Sequence, residues 1–105
     1  MIQNLNSHEI RCHSQCQGIL SSSTGELGKR IEAAKETLRQ NAYAGAFIGR
    51  NKWPKEFKGC DNLYRLDVGK DRLIYTVIKE KGKRIVMIHR FWDHDEYDRK
   101  FGYHT

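Results

Sequence analysis

The alternation of apolar and polar side chains is clearest in the second half of the chain, where three segments have the pattern of β-strands. These are residues 63–68, 72–79 and 84–92, separated by the turn residues 69–71 and 80–83. Turns of this length join antiparallel neighbours. The pattern therefore predicts three consecutive antiparallel strands.

The faces of these predicted strands differ in polarity. In the first strand Arg65 and Asp67 share one face, which we expect to be open to solvent. The other face of that strand carries apolar and aromatic side chains: Tyr64, Leu66 and Val68. The second and third strands are apolar on both faces, which predicts burial between a helix and a further layer.

A helical period precedes the strands. Apolar residues recur at intervals of three and four (Leu27, Ile31, Ala34 and Leu38), and charged residues fill the other faces (Lys29, Arg30, Glu32, Lys35, Glu36 and Arg39). Ser23 and Glu26 have the spacing of a capping box, with Ser23 as the N-cap. We predict an amphipathic helix from Ser23 to about Asn41 that packs on the sheet.

Two other segments lack a regular period. Residues 1–22 are polar and irregular, so we expect them to be diverged or partly disordered, with a weak strand at residues 8–12 that adds to a sheet edge. In residues 42–61, three glycines and Pro54 predict a connecting segment with one short helical turn.

The connecting segment is basic and aromatic. Its cations, Arg50, Lys52, Lys55 and Lys58, surround Trp53 and Phe57. Such a mixture can hold phosphates and stack bases. It is also typical of a solvated loop that its aromatic residues pin to the core.

Composition narrows the class of protein. With 105 residues and 38% hydrophobic residues, we expect one domain spanning residues 1–105. A net charge of +6 and a pI of about 9.4 favour a polyanionic partner, either nucleic acid or an acidic protein. No apolar run has the length of a membrane span and no signal peptide is evident, so we expect a cytoplasmic location without a membrane partner.

The cysteines and nearby histidines predict neither disulfides nor a metal site. Cys12, Cys16 and Cys60 are odd in number and form no framework pattern, which favours reduced thiols. His8 and His13 alternate with the first two cysteines, but at no standard zinc spacing. We expect no metal and no cofactor.

Two stretches resemble the RelE/ParE toxin superfamily. Residues 62–75, NLYRLDVGKDRLIY, are similar to the family's central hairpin: an aromatic and basic strand, a glycine turn, and an Arg-aliphatic-aliphatic-Tyr strand. Residues 85–97, IVMIHRFWDHDEY, resemble its last strand and a closing His-x-x-Tyr segment. The tail DRKFGY at residues 98–103 resembles one subgroup of RelE-like proteins.

The resemblance implies a fold and a function. The fold would be α+β, an antiparallel twisted sheet of about four strands with one or two helices packed on one face. The protein would be the toxin of a type II toxin–antitoxin system, with an acidic antitoxin as partner. Active members cleave mRNA on the ribosome without metal, through attack of the RNA's own 2′-hydroxyl. Two alternatives stay open: a catalytically inactive binding module of this fold, and a ParE-like inhibitor of DNA gyrase.

The same resemblance implies site residues. Arg65 and Arg72 would hold the scissile phosphate, His94 would act as general acid, and Tyr97 would stack on a base or join proton transfer. Each also has a structural interpretation: surface arginines, a helix cap for which Asp93 is better suited, and an aromatic cover for the sheet. RNA contacts are predicted at Arg50, Lys52, Lys55, Lys58 and Arg90.

Two further polar residues, Asp67 and His89, lie within the predicted strands. Asp67 stands where RNA-cleaving members often carry a second lysine. Its carboxylate would repel phosphate, act as a base, or pair with Arg65 or Arg72 and hold that guanidinium in place. His89 lies inside the third predicted strand, where we expect a hydrogen-bonded sheet residue instead of a ligand.

Overall fold

A mixed β-sheet lies at the centre of the molecule. The computed structural model describes residues 9–13 and 25–102, and these contain five strands, two α-helices and two short 3-10 turns. In chain order the elements are β1 (Glu9–Cys12), α1 (Gly25–Gln40), β2 (Ala46–Phe47), the 3-10 turns Arg50–Lys52 and Lys55–Phe57, β3 (Tyr64–Val68), β4 (Asp71–Glu80), β5 (Lys83–Trp92) and α2 (His94–Phe101).

The strand order of the sheet is β1-β5-β4-β3-β2. The three strands predicted from the alternating pattern are confirmed as β3, β4 and β5, and they pair in antiparallel fashion. Gly69 and Gly82 lie in the two connecting turns with φ of 65° and 78°, a conformation that glycine adopts without strain. The predicted sheet of about four antiparallel strands was incomplete, because β1 pairs with β5 in parallel and β2 adds a short fifth strand.

Helix α1 packs on one face of the sheet, as its apolar period predicted. Ile31, Ala34 and Leu38 are buried along the inner side of the helix. They pack against the β4 side chains that point to the same face, such as Leu73 and Tyr75. Burial of a side chain the size of Ile31 or Leu38 stabilises the fold by about 1.5 to 3 kcal/mol.

The opposite face of the sheet is covered by α2 and the two 3-10 turns. Side chains from these elements, from the connecting segment and from β4 form a second core cluster: Ile48, Trp53, Phe57, Leu63, Ile74, Tyr97 and Phe101. The prediction that the helices pack on one face was therefore wrong. The physical reason lies in β4, whose side chains are apolar on both sides and therefore need cover on both. That same property correctly predicted burial between a helix and a further layer.

A β-bulge changes the direction of side chains near the end of β5. Ile74 pairs with Arg90 and Tyr75 pairs with Ile88, so His89 is the extra residue between the two pairs. As a result His89 and Arg90 both contact groups on the α2 side, where they reach Thr76 and Glu56 respectively.

The segments without a regular period behave partly as expected. The weak strand predicted at residues 8–12 is confirmed as β1, at one edge of the sheet. Residues 42–61 contain β2 and two 3-10 turns instead of one helical turn. Residues 1–8 and 14–24 lie outside the described residues, and these include the predicted N-cap, Ser23. Among the helices of the described ranges, none has the length and apolar character of a membrane span.

Candidate active site

The pairing of β3 with β4 brings three of the charged residues together. Asp67 lies directly opposite Arg72 in the ladder, and Arg65 is two residues before Asp67 on the same face of β3. We expected this face to be open to solvent, but α2 covers part of it: Asp67 is exposed, whereas Arg65 is partly buried and contacts Tyr97. The hairpin, which the sequence pattern predicted, therefore sets the relative positions of these side chains through its backbone register.

Asp67 bridges the two arginines. Its Oδ1 atom lies 3.0 Å from Nε of Arg65 and 3.3 Å from Nε of Arg72. The Asp67 side chain is 52% exposed, whereas the Arg72 side chain is 17% exposed. The carboxylate thus sits at the solvent side of the two guanidinium groups, which is where an incoming anion would approach them.

His94 opens helix α2 and contacts Arg72. Its Nδ1 atom lies 3.4 Å from Nη2 of Arg72, and its Nε2 atom lies 3.1 Å from Oδ2 of Asp98. Because a guanidinium only donates, this geometry favours the tautomer in which Nδ1 accepts and the proton on Nε2 is donated to Asp98. Asp93 caps the helix, its Oδ1 accepting from the Glu96 amide at 2.8 Å, as its position before His94 predicted.

Tyr97 lies beneath both arginines. The residue is 2% exposed, and its ring stacks on Phe101 with 4.5 Å between ring centroids. Its hydroxyl accepts a hydrogen bond from Nη1 of Arg65 at 3.3 Å. The guanidinium carbons of Arg65 and Arg72 lie 5.4 and 5.8 Å from the ring centre, within the range of a cation–π contact. Tyr97 therefore covers the sheet and also positions the two cations.

A cavity of about 240 Å³ adjoins Arg65 and Tyr97. Lys52 and the backbone around Gly49 line its other side. Of the four cations predicted in the connecting segment, Lys52 is thus the one that shares a cavity with the site. Lys55 and Lys58 are exposed on the neighbouring 3-10 turn and the residue after it.

The other two predicted RNA contacts are engaged within the protein. Arg50 donates to the carbonyl oxygens of Cys60 and Asp61, at 3.3 and 3.2 Å. Arg90 forms a 2.7 Å ion pair with Glu56 and is 16% exposed.

The aromatic residues of the connecting segment belong to the core. Trp53 and Phe57 are 6% and 2% exposed, and the Trp53 indole donates to the Ile48 carbonyl at 2.8 Å. The segment is therefore pinned to the core by both rings, and its exposed lysines project from that anchored backbone.

His89 lies outside this cluster. Its Nε2 atom is 3.1 Å from the Thr76 hydroxyl, as expected for a hydrogen-bonded sheet residue. Burial lowers the pKa of His89 to about 4, which keeps the ring neutral near pH 7.

Burial also raises the pKa of the Cys12 and Cys60 thiols, so neither resembles an activated nucleophile. His8 and Cys16 lie outside the residues that the structure describes. Within residues 9–13 and 25–102, no three metal-ligating side chains cluster.

Asp98 is the member of the cluster that sequence reasoning missed. It lies four residues after His94, so a helix starting at residue 94 places both on one side. The spacing of four residues between His94 and Asp98 would therefore have predicted their contact if a helix had been predicted there.

The arrangement has a definite chemical capacity. Two guanidinium groups converge on one anion position, and charge-assisted bonds from such groups stabilise phosphate and its more highly charged transition states. An imidazole paired with a carboxylate stands beside them, with the His94 ring 3.4 Å from Arg72 and 3.1 Å from Asp98.

The fold has a known counterpart. It is similar to that of a chain in the crystal structure of the archaeal RelE–RelB complex from Pyrococcus horikoshii OT3, with a TM-score of 0.58 and 17% sequence identity. The match covers 84% of this chain and 96% of that chain. No family model matches the sequence, and no curated protein matches it. The RelE-like α+β fold is thus confirmed, and the subgroup inferred from the tail stays a prediction.

Proposed function

We propose that this protein is the toxin of a type II toxin–antitoxin pair and that it cleaves mRNA on the ribosome without a metal ion or cofactor. The observation that carries the proposal is the convergence of Arg65, Arg72 and His94 on one sheet face of a RelE-like fold. Cleavage of RNA by its own 2′-hydroxyl needs cations at the phosphate and an acid at the leaving oxygen, and this cluster contains both.

In the proposed reaction the scissile phosphate binds between Arg65 and Arg72 and displaces the carboxylate of Asp67. The 2′-oxygen forms a bond to phosphorus and its proton passes to solvent, while the bond from phosphorus to the 5′-oxygen breaks. For this step His94 is protonated at Nδ1 as well, so that Nδ1 no longer accepts from Arg72, and it gives that proton to the 5′-oxygen. The products are a 2′,3′-cyclic phosphate and a 5′-hydroxyl, and the two guanidinium groups stabilise the charge that develops between them.

Asp98 and Tyr97 have supporting roles in this mechanism. Asp98, 3.1 Å from Nε2 of His94, stabilises the charged imidazole and fixes its orientation. Tyr97 is a positioning residue, because its buried ring lies under both guanidinium groups and its hydroxyl bonds Arg65. Lys52, across the adjoining cavity, is the next cation for the RNA chain, and the exposed Lys55 and Lys58 extend the basic surface. Arg50 and Arg90 would contribute less, because Arg50 bonds backbone carbonyls and Arg90 pairs with Glu56.

The charge balance supports an acidic antitoxin as partner. The chain carries 19 basic and 13 acidic side chains. The structurally similar chain comes from a RelE–RelB complex, which is consistent with a partner protein for this one too. Ribosomes and mRNA as partners also imply a cytoplasmic location.

One observation favours a second candidate, a binding module that has lost catalysis. Asp67 already occupies the anion position between the two arginines. If phosphate cannot displace this carboxylate, the fold retains partner binding alone. Normal growth on induced expression, together with tight binding to a neighbouring gene product, is the result that this candidate predicts.

The deciding experiment is a cleavage assay with purified protein, mRNA and translating ribosomes. Wild type is expected to cut the mRNA, and Arg72→Ala and His94→Ala are each expected to reduce the rate by about a hundredfold or more. Arg39→Ala is the matched control, since Arg39 lies on α1, across the sheet from the cluster, and pairs with Glu36.

Three outcomes contradict the proposal. Equal cutting by wild type and both variants would show that the cluster takes no part. Intact mRNA with every protein would favour the binding module. Intact mRNA together with inhibited DNA supercoiling would instead select a ParE-like activity.

A further inference from the structure

Arg30 of α1 is a cation that the cleavage mechanism does not use. It belongs to the charged set of the amphipathic helix, yet it is only partly exposed. Its Nε atom is buried and has no hydrogen-bond partner in the described part of the chain. A buried donor without a partner carries a desolvation cost, so the position of this side chain needs another explanation.

Gly69 allows Arg30 to approach the turn between β3 and β4. A Cβ atom at position 69 would lie 2.6 Å from Nη1 of Arg30, a distance that no side chain could keep. The glycine is also required for the turn itself, because its φ is 65°. The guanidinium therefore lies directly against the backbone of this turn.

Arg72 approaches the same turn from the other side. Its Nη1 atom donates to the carbonyl oxygens of Lys70 and Asp71, at 3.2 and 3.3 Å. The guanidinium groups of Arg30 and Arg72 thus flank consecutive residues of one turn. Adjacent Cα atoms are about 3.8 Å apart, so only one or two residues of backbone lie between the contact points of the two guanidinium groups.

A cavity of about 230 Å³ connects this region with the cluster. Arg30 and Gly69 line it together with Asp67, the residue that bridges Arg65 and Arg72. The cavity lies at the outer edge of β3, because β2 pairs only with the first two residues of that strand. This edge is where a chain leaving the cluster can pass from the α2 face towards α1.

We propose that Arg30 and the Gly69 turn form a second phosphate subsite, which holds the RNA phosphate next to the scissile one. The inference rests on the proposed RNA-cleaving function and deepens it. The subsite recognises the RNA backbone and not the bases, since a guanidinium beside a turn backbone binds phosphate oxygens without reading sequence.

The test is binding of a fluorescein-labelled, 2′-O-methylated hexanucleotide, which has no free 2′-hydroxyl and cannot be cleaved. Anisotropy measures its affinity for wild type, Arg30→Gln, Arg39→Gln and Arg72→Ala over a range of salt concentrations. Arg39→Gln is the matched control, because it removes the same charge from the same helix at a side chain that pairs with Glu36 and lies outside the cavity.

The expected result is specific to Arg30. Arg30→Gln should weaken binding by about three- to tenfold and reduce the slope of log affinity against log salt by about 0.7. Arg39→Gln should leave both unchanged, and thermal unfolding should show that each variant is folded. If Arg30→Gln does not fold, Arg30→Lys replaces it and should give a smaller loss with the salt slope preserved, because the charge is kept without the planar fork.

The outcomes separate this inference from the function on which it rests. Binding that Arg72→Ala weakens and Arg30→Gln does not would overturn the second subsite and leave the cleavage site standing. Equal losses in Arg30→Gln and Arg39→Gln would also overturn it, since the effect would then be one of net charge. If wild type itself does not bind the hexanucleotide, the second subsite is overturned, whereas the proposed function is decided by the cleavage assay on translating ribosomes.

Discussion

Replacing Asp67 by asparagine separates its two possible effects on the site. The carboxylate is 3.0 and 3.3 Å from the Nε atoms of Arg65 and Arg72, at the position that the proposed mechanism gives to phosphate. Asparagine has nearly the same shape and keeps an oxygen that accepts from a guanidinium, but it has no charge. The substitution therefore removes competition for the anion position without opening a hole in the surface.

The magnitude follows from charge and exposure. Two unit charges about 4 Å apart interact by about 1 kcal/mol in water and by about 4 kcal/mol at a typical protein surface. The Asp67 side chain is 52% exposed, so solvent screens its charge and the lower part of this energy range applies. Removing the carboxylate should favour phosphate by about 1 to 2 kcal/mol, which is an affinity for RNA about five- to thirtyfold higher. The loss of two partly exposed ion pairs should cost about 1 kcal/mol of stability or less.

The assay combines hexanucleotide binding with mRNA cleavage on ribosomes. Asp67→Asn should bind more tightly than wild type and cut at least as fast. Asp61→Asn provides the control, because it makes the same change in net charge outside the cluster. Unchanged affinity would refute the competition. Tighter binding with cleavage abolished would instead identify Asp67 as the base that accepts the 2′ proton.

Three further perturbations test other parts of the structure. Tyr97→Phe should slow cleavage by about tenfold with little loss of stability, because it removes the hydroxyl that bonds Arg65 and keeps the buried ring. Asp93→Ala should lower the free energy of unfolding by about 1 kcal/mol, measured in urea, because the Glu96 amide loses its cap. Burial lowers the pKa of His89 to about 4, below about 6.5 in the unfolded chain, so the unfolded state binds more protons between these values. Stability should therefore fall by up to about 2 kcal/mol, discounted for partial exposure, as the pH drops from about 6.5 to about 4, and His89→Gln should reduce that fall.

The sequence predicted the parts of the fold that depend on local periodicity. The three central strands and α1 have clear periods of two and of 3.6 residues, and each formed within about two residues of its predicted bounds. The placement of α2 could not be predicted, because Ile74 and its neighbours make β4 apolar on both faces and no period tells which helix covers which face. The bulge at His89 could not be predicted either, because it adds one residue to the strand and no glycine or proline marks the position.

The arrangement of the candidate site could be predicted where a residue's position follows from strand register. Arg65, Asp67 and Arg72 fall on one face of a hairpin whose turn is visible in the sequence, and the possible pairing of Asp67 with the arginines was among the alternatives considered. Arg30 was grouped with the solvent-facing charges of α1. Its partly buried position depends on how close the helix lies to the Gly69 turn, which is a tertiary distance and leaves no period in the sequence.

The two halves of the site are held by different forces, and this affects which half is lost first. Backbone pairing along the whole hairpin fixes Arg65 and Arg72. His94 depends instead on α2, an eight-residue helix too short to be stable alone, which docks through Tyr97 and Phe101 in the second core cluster. Weakening that cluster should therefore displace His94, the proposed proton donor, whereas the backbone register still holds Arg65 and Arg72 and their guanidinium groups lose only the support of Tyr97. A partly destabilised variant is then expected to lose cleavage by a larger factor than it loses affinity for RNA, whereas substitution of either arginine should reduce both.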